Sequence, residues 1–198
     1  MIVLLSVVSS SLTLLFNRLA VQSSETLRAR QALGVAQALM TEVRMMPFTY
    51  CDPQDARFAS ATMAALGPTG CQTSVETLPP VGAETGEGRR IAPAGSPPPT
   101  PPSARFDNVS DYDNFAQPGP SCPGGICDIN GYLLNAAGSP LQGCSTLVNT
   151  TPQAMPNVPA LDANNRPQSL RITVRVRCPG TSDMVLESIR MRHAPNQM

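Results

Sequence analysis

The 198-residue chain has no Lys and no Trp, one His, few aromatics (4%) and few charges (14%). Without Lys, all 14 basic residues are Arg, and 14 acidic residues bring the net charge to zero. That balance removes the basic face expected of a nucleic-acid binder. The single His, His193, rules out a zinc site of two Cys and two His, and no CxxC pair exists to begin an all-Cys site. HExxH, phosphate-loop and nucleophile-elbow motifs are all missing. Candidate catalytic chemistry is therefore thin, and no catalytic residue or cofactor site is singled out. The 21 Pro and 14 Gly fall short of the roughly 25–30% that marks a low-complexity chain. The length allows one domain with a core of ordinary size, alone or with an appendage.

Six cysteines are present: Cys51, Cys71, Cys122, Cys127, Cys144 and Cys178. An even count without metal spacing points to disulfides and an oxidising compartment. The opposing reading is a set of buried thiols in a cytosolic protein. Six cysteines allow 15 pairings. Proximity favours Cys51–Cys71 and Cys122–Cys127, and elimination leaves Cys144–Cys178. A bridge closing a loop of about 20 residues contributes roughly 3 kcal/mol in the chain-entropy model.

The longest uncharged apolar run opens the chain. It holds Ile2, Val3, Leu4, Leu5, Val7, Val8, Leu12, Leu14, Leu15 and Phe16, and Asn17 and Arg18 end it. As a helix, 2–16 reaches roughly 22 Å, short of the ~30 Å hydrocarbon core. A signal peptide needs a basic segment first, and only Met1 precedes the run. A buried soluble helix must explain a run that is apolar on every face. A membrane helix lacking its first residues is the remaining reading. Ser6, Ser9, Ser10 and Ser11 are small enough for close helix approach, or are simply tolerated. Arg18, Arg28 and Arg30 would hold their side in the cytoplasm by charge alone. The cysteines place that side in an oxidising space, so further basic residues are expected upstream.

No Pro occurs before Pro47, and the one Gly in that stretch is Gly34. Beyond Arg30, Leu33, Val35, Ala36, Leu39, Met40, Val43 and Met46 fall on one helical stripe. Arg30, Gln31, Gln37, Glu42 and Arg44 lie mainly elsewhere. One helix of some 46 residues, ~69 Å long, is expected. Residues 1–25 would be its membrane or filament half, and 26–47 its amphipathic half, docked on a head at 48–198.

The head reads as loop-rich β structure. Residues 79–105 carry Pro97-Pro98-Pro99-Thr100-Pro101-Pro102 and form a partly polyproline loop. Leu170 to Cys178 alternates apolar and polar strictly, with Cys178 on the inward phase. Pro179-Gly180 turns the chain. Met184 to His193 returns, with Val185, Ile189 and Met191 as a second apolar alternation that Glu187 interrupts. Arg171, Arg175 and Arg177 would line one sheet face, joined by Arg190 and Arg192. A solvated face explains them more simply than anion or polymer binding. Asp107, Asp111 and Asp113, beside Asn108, are weak calcium candidates through their oxygens. They lack EF-hand spacing, and Asx turns explain such residues more simply.

The apolar-then-amphipathic helix resembles that of type IV pilins and pseudopilins. More narrowly, the chain resembles the MshD-type minor pilins of mannose-sensitive haemagglutinin (MSHA) pili. The matching stretches are RQALGVAQALMTEVRMMPFTYCDP at 30–53, FDNVSDYDNF at 106–115, DINGY at 128–132, LRITVRV at 170–176 and LESIRMRHAPN at 186–196. The segments 79–105 and 140–168 match little. The resemblance implies an α+β pilin-like fold, with a long N-terminal helix on an antiparallel sheet. It implies a non-enzymatic subunit acting in pilus assembly, priming or surface attachment. Its partners would be other pilins, inner-membrane assembly machinery and membrane lipid. Its place would be the inner membrane, single-pass with the head periplasmic, and then the assembled pilus. A minor pseudopilin of type II secretion shares this architecture. A membrane-tethered periplasmic enzyme or binding protein is the alternative from another class.

Prepilins carry a basic leader, a Gly before the cleavage site and a Glu five residues into the mature chain. None precedes Ile2 here. The in-frame codons upstream of Met1 are expected to encode all three, and sequencing that DNA checks it. A stop codon immediately upstream would contradict the expectation.

Overall fold

The computed structural model describes residues 2–76, 82–84, 87–89 and 105–192. The side chains of 2–8, 20 and 21 fall outside the description. So do His193 and most of the Pro-rich segment 79–105. The fold is α+β. Helix α1 (Ile2–Met45) is followed by a 3₁₀ turn (Val109–Tyr112) and four strands, β1 (Phe115–Gln117), β2 (Ser145–Pro152), β3 (Ser169–Arg177) and β4 (Met184–Met191). The strands form one antiparallel sheet in the order β1-β2-β3-β4.

With Pro excluded until position 47, nothing breaks α1, and its 44 residues extend about 66 Å. Its second half lies across β3 and β4. The buried stripe is Ala32, Val35, Ala36, Leu39, Met40 and Val43, with the 3- and 4-residue steps of a core-facing helix. Two expected stripe members sit differently. Leu33 is exposed at 36% and Met46 is half-buried. Ala32, four residues before Ala36, falls within the stripe, and Leu33 lies at its edge.

Across from the stripe, Leu170, Ile172, Val174 and Val176 of β3 are buried, and Val148 of β2 joins them. The strict alternation in β3 thus sets the inner face. Register fixes the rest. Val176 pairs with Met184, Val174 with Leu186 and Leu170 with Arg190. Met184 and Leu186 therefore pack on the core, whereas Val185, Ile189 and Met191 are exposed. The expected apolar phase of β4 is reversed, because a period of two leaves β4 only the phase its pairing with β3 allows.

The same register divides the arginines. Arg171, Arg175 and Arg177 are exposed on the outer face, where Asp183 lies 4.0 Å from Arg175 and 3.2 Å from Arg177. Arg190 and Arg192 do not join them. Arg190 Nη2 donates to the Met46 carbonyl just past the end of α1 (3.3 Å), where a cation suits the helix dipole. The Arg192 guanidinium lies 4.2 Å from the Phe48 ring centre and 4.0 Å from that of Tyr50. It also donates to the Pro167 carbonyl at 3.0 and 2.8 Å.

Between α1 and β2 the described residues are mostly loop, and covalent links hold them. The bridges are Cys51–Cys71, Cys122–Cys127 and Cys144–Cys178, the pairs that proximity and elimination suggested. The third joins the residue before β2 to the residue after β3. Phe106, Tyr112 and Phe115 pack edge-to-face at 5.0–5.9 Å between ring centres, so three of the few aromatics sit together under the helix.

Each buried Val, Leu or Met of the stripe is worth roughly 1.5–3 kcal/mol. Removing residues 1–25 is expected to leave a soluble, folded head, and cutting to Pro47 is expected to unfold it. Thermal melting of the two truncations checks this, and equal melting temperatures would mean the second half of α1 is not docked.

Candidate functional site

Three features of the chain stand out as more than packing. The first is the N-terminal half of α1. Leu12, Leu14, Leu15, Phe16 and Leu19 are 48–66% exposed. Arg28 is bonded to the head, with Nε donating to the Pro140 carbonyl (2.9 Å) and Nη1 to the Pro179 carbonyl (2.7 Å). N-terminal to it the described side chains of the helix are exposed. Among the described residues, no helix is long and apolar enough to cross a membrane.

The second feature ties α1 to the head. Glu42 was expected on the polar face, but it lies under Arg89. The pair is bidentate, with Nε–Oε1 at 2.7 Å and Nη2–Oε2 at 2.6 Å. Their side chains are only 11% and 4% exposed. The Tyr112 hydroxyl donates to Glu42 Oε1 (2.8 Å), and Arg89 Nη1 donates to the Cys127 carbonyl (2.9 Å). Burial, and then the Glu42 charge, push the Tyr112 phenol far above its ordinary pKa.

The third feature is a set of converging carboxylates. One oxygen each from Glu76, Glu84 and Asp111 lie within 4.8 Å of one another. Glu76 follows the Cys51–Cys71 loop. That loop is held by Asp55, whose carboxylate accepts from the amides of Arg57, Gln72, Thr73 and Ser74. Burial opposes the Asp55 charge, but those amides outweigh it and hold the carboxyl well below its usual range. Glu84 is brought in by Gly82, which sits at φ +72°, and a Cβ there would lie 2.9 Å from the Asp113 carbonyl oxygen. Asp111 closes the 3₁₀ turn's capping box. Its Oδ2 accepts from the amides of Asp107 (2.8 Å) and Asn108 (2.7 Å). Beside the cluster is a cavity of about 470 Å³ lined by Gly82, Glu87, Asp111, Asp113 and Phe115, among others.

Burial raises Glu76, Glu87 and Asp111. Glu76 is pushed up to about 10, with repulsion from Asp111 and Glu84 adding to the effect. Glu87 is pushed up to about 9, aided by a hydrogen bond with Glu84. Asp111 reaches about 7, with the Asn108 and Asp107 amides pulling the other way. Such groups bind more protons folded than unfolded. Stability therefore falls as pH rises from the ordinary carboxylate range towards about 10.

Of the three aspartates singled out from sequence, only Asp111 joins the cluster. Asp107 Oδ2 accepts from Gln54 (3.1 Å). Asp113 Oδ1 accepts from the Thr150 amide (2.7 Å), and its Oδ2 accepts from Asn114 (2.9 Å). These two fasten loops. Glu76, Glu84 and Glu87 were missed because they come from segments separate in sequence. The one local signal is the pair of acids in Gly82-Ala83-Glu84-Thr85-Gly86-Glu87-Gly88. No protein-family model, curated protein or solved structure matches the chain.

Replacing Glu42 with Ala would leave Arg89 buried without its partner. The expected cost is about 3–5 kcal/mol, read from denaturant unfolding. The double variant E42L/R89M should lose less than E42A. A loss below about 1 kcal/mol in E42A would mean the pair does not fasten the helix.

Proposed function

We propose that the chain is a minor pilin-like structural subunit of a type IV, MSHA-like pilus, acting in assembly, priming or surface attachment. The observation that carries this reading is the division of α1. One half lays a single apolar stripe on an antiparallel sheet, and the other extends beyond the head with exposed Leu and Phe. A helix of this length with an exposed apolar half suits a partner helix or a membrane better than a solitary soluble domain. The three disulfides suit a head that works outside the cytoplasm. The resemblance of the helix and strand segments to MshD-type minor pilins narrows the choice to that pilus.

The physical logic is an exchange of apolar burial. In the inner membrane, lipid covers Leu12, Leu15 and their neighbours. In the filament, the helices of other pilins cover them. The run 2–16 alone is about 8 Å shorter than the hydrocarbon core. Arg18 can snorkel to the interface to reduce that mismatch, and packing among helices removes it altogether. No reaction chemistry is needed.

The test is L15R in cells that make the pilus. Leu15 is exposed in the isolated chain, so the melting temperature of the head should not change. The wild type should appear in the sheared filament fraction, and L15R should be depleted at least tenfold. Equal recovery of both would contradict the reading.

A further inference from the structure

We propose that Glu76, Glu84 and Asp111 form a binding site for a divalent cation of the calcium type. The inference goes beyond the pilin reading and does not depend on it. The donor set is purely oxygen, with no imidazole or thiolate, which selects hard cations over zinc or copper. Calcium takes its oxygens at about 2.3–2.6 Å, so ligands on opposite sides of one ion lie up to about 5 Å apart. Three oxygens within 4.8 Å of one another fit that sphere.

Two observations separate this cluster from an ordinary acidic patch. Asp111 is 1% exposed, and its Oδ1 is buried without a hydrogen-bond donor among the described residues. With Oδ2 held by two amides, Oδ1 is left as an acceptor that a cation would satisfy, on a side chain that lines the adjoining cavity. Glu76 is also buried, at 2% exposed. Its Oε1 accepts from the Ser110 hydroxyl (3.1 Å). No described ion pair reaches Glu76, Glu87 or Asp111. Buried carboxylates without a counter-charge must take up protons or a metal ion.

Glu87 and Asp107 add negative charge around the cluster, and Arg89 lines the same cavity as Asp111 but is held by Glu42 in a bidentate pair. Arg192 feels the Glu76 charge from the end of β4, but it is held by Pro167, Phe48 and Tyr50. A bound ion would cross-link three segments: the chain after Cys71, the Gly82–Glu84 stretch and the 3₁₀ turn.

The test uses the full chain in detergent micelles at pH 8, with calcium chloride as the probe. Calorimetric titration should give one site per chain, with affinity in the ~10⁻⁴–10⁻³ M range of extracellular modules. Magnesium should bind at least tenfold more weakly. Five millimolar calcium should raise the melting temperature by about 3 °C or more over a chelator control. E76Q keeps the shape and the Ser110 hydrogen bond. It should melt at or above the wild type in chelator, and its calcium affinity should fall at least tenfold. E84Q should show the same loss of affinity. No calcium heat and no melting shift in the wild type would overturn the proposal, as would an unchanged calcium response in both variants. Equal affinity for magnesium would overturn the calcium assignment.

Discussion

The packing of one helical stripe on one sheet face is the contact on which the rest of the molecule depends. Ala32, Val35, Ala36, Leu39, Met40 and Val43 meet Leu170, Ile172, Val174 and Val176. Neither side is stable alone. A four-stranded sheet with one apolar face must cover it, and a helix gains most of its stability in proteins from such a face. The described segments between Pro47 and Ser145 fold around this contact. Glu42 reaches from the helix to Arg89 and Tyr112, and Arg190 reaches from β4 to the Met46 carbonyl. These polar ties fix the angle and depth of a contact that apolar area alone leaves loosely specified.

The strongest periodic signals in the sequence gave the clearest expectations. A stretch free of Pro up to Pro47 gave α1 to within two residues of its end. Strict alternation from Leu170 gave β3 and its inner face. The three bridges followed from proximity and elimination, since the loop-rich head keeps neighbouring cysteines close. What failed was information that belongs to pairs of elements. β4 carries apolar residues on both phases, Met184 and Leu186 on one, Val185 and Ile189 on the other. Only its register against β3 decides between them, and the choice also turns Arg190 and Arg192 inward. Glu42 looked like a solvent-facing acid because its partner lies 47 residues away.

The candidate sites differ in the same way. The exposed apolar half of α1 was legible because a run such as 2–16 needs no tertiary context. The carboxylate cluster was not, because Glu76, Glu84 and Asp111 meet only after the Cys51–Cys71 loop, the Gly82 turn and the capping box are in place. Asp111 was noticed beside Asp107 and Asp113, yet the latter two serve as loop fasteners. Proximity in sequence was a good guide for cysteines and a poor one for acids. Carboxylates repel one another and are brought together by the surrounding fold or by a shared cation.

The account rests on the claim that the exposed half of α1 is covered by other subunits and not by its own head. Photo-cross-linking from Leu15 in sheared filaments, with Leu39 as the internal reference, tests it most directly. The account predicts cross-links from position 15 to the helices of other filament subunits, and from position 39 only within the same chain. Cross-links from position 15 to its own head, or filaments that contain none of this chain, would contradict it.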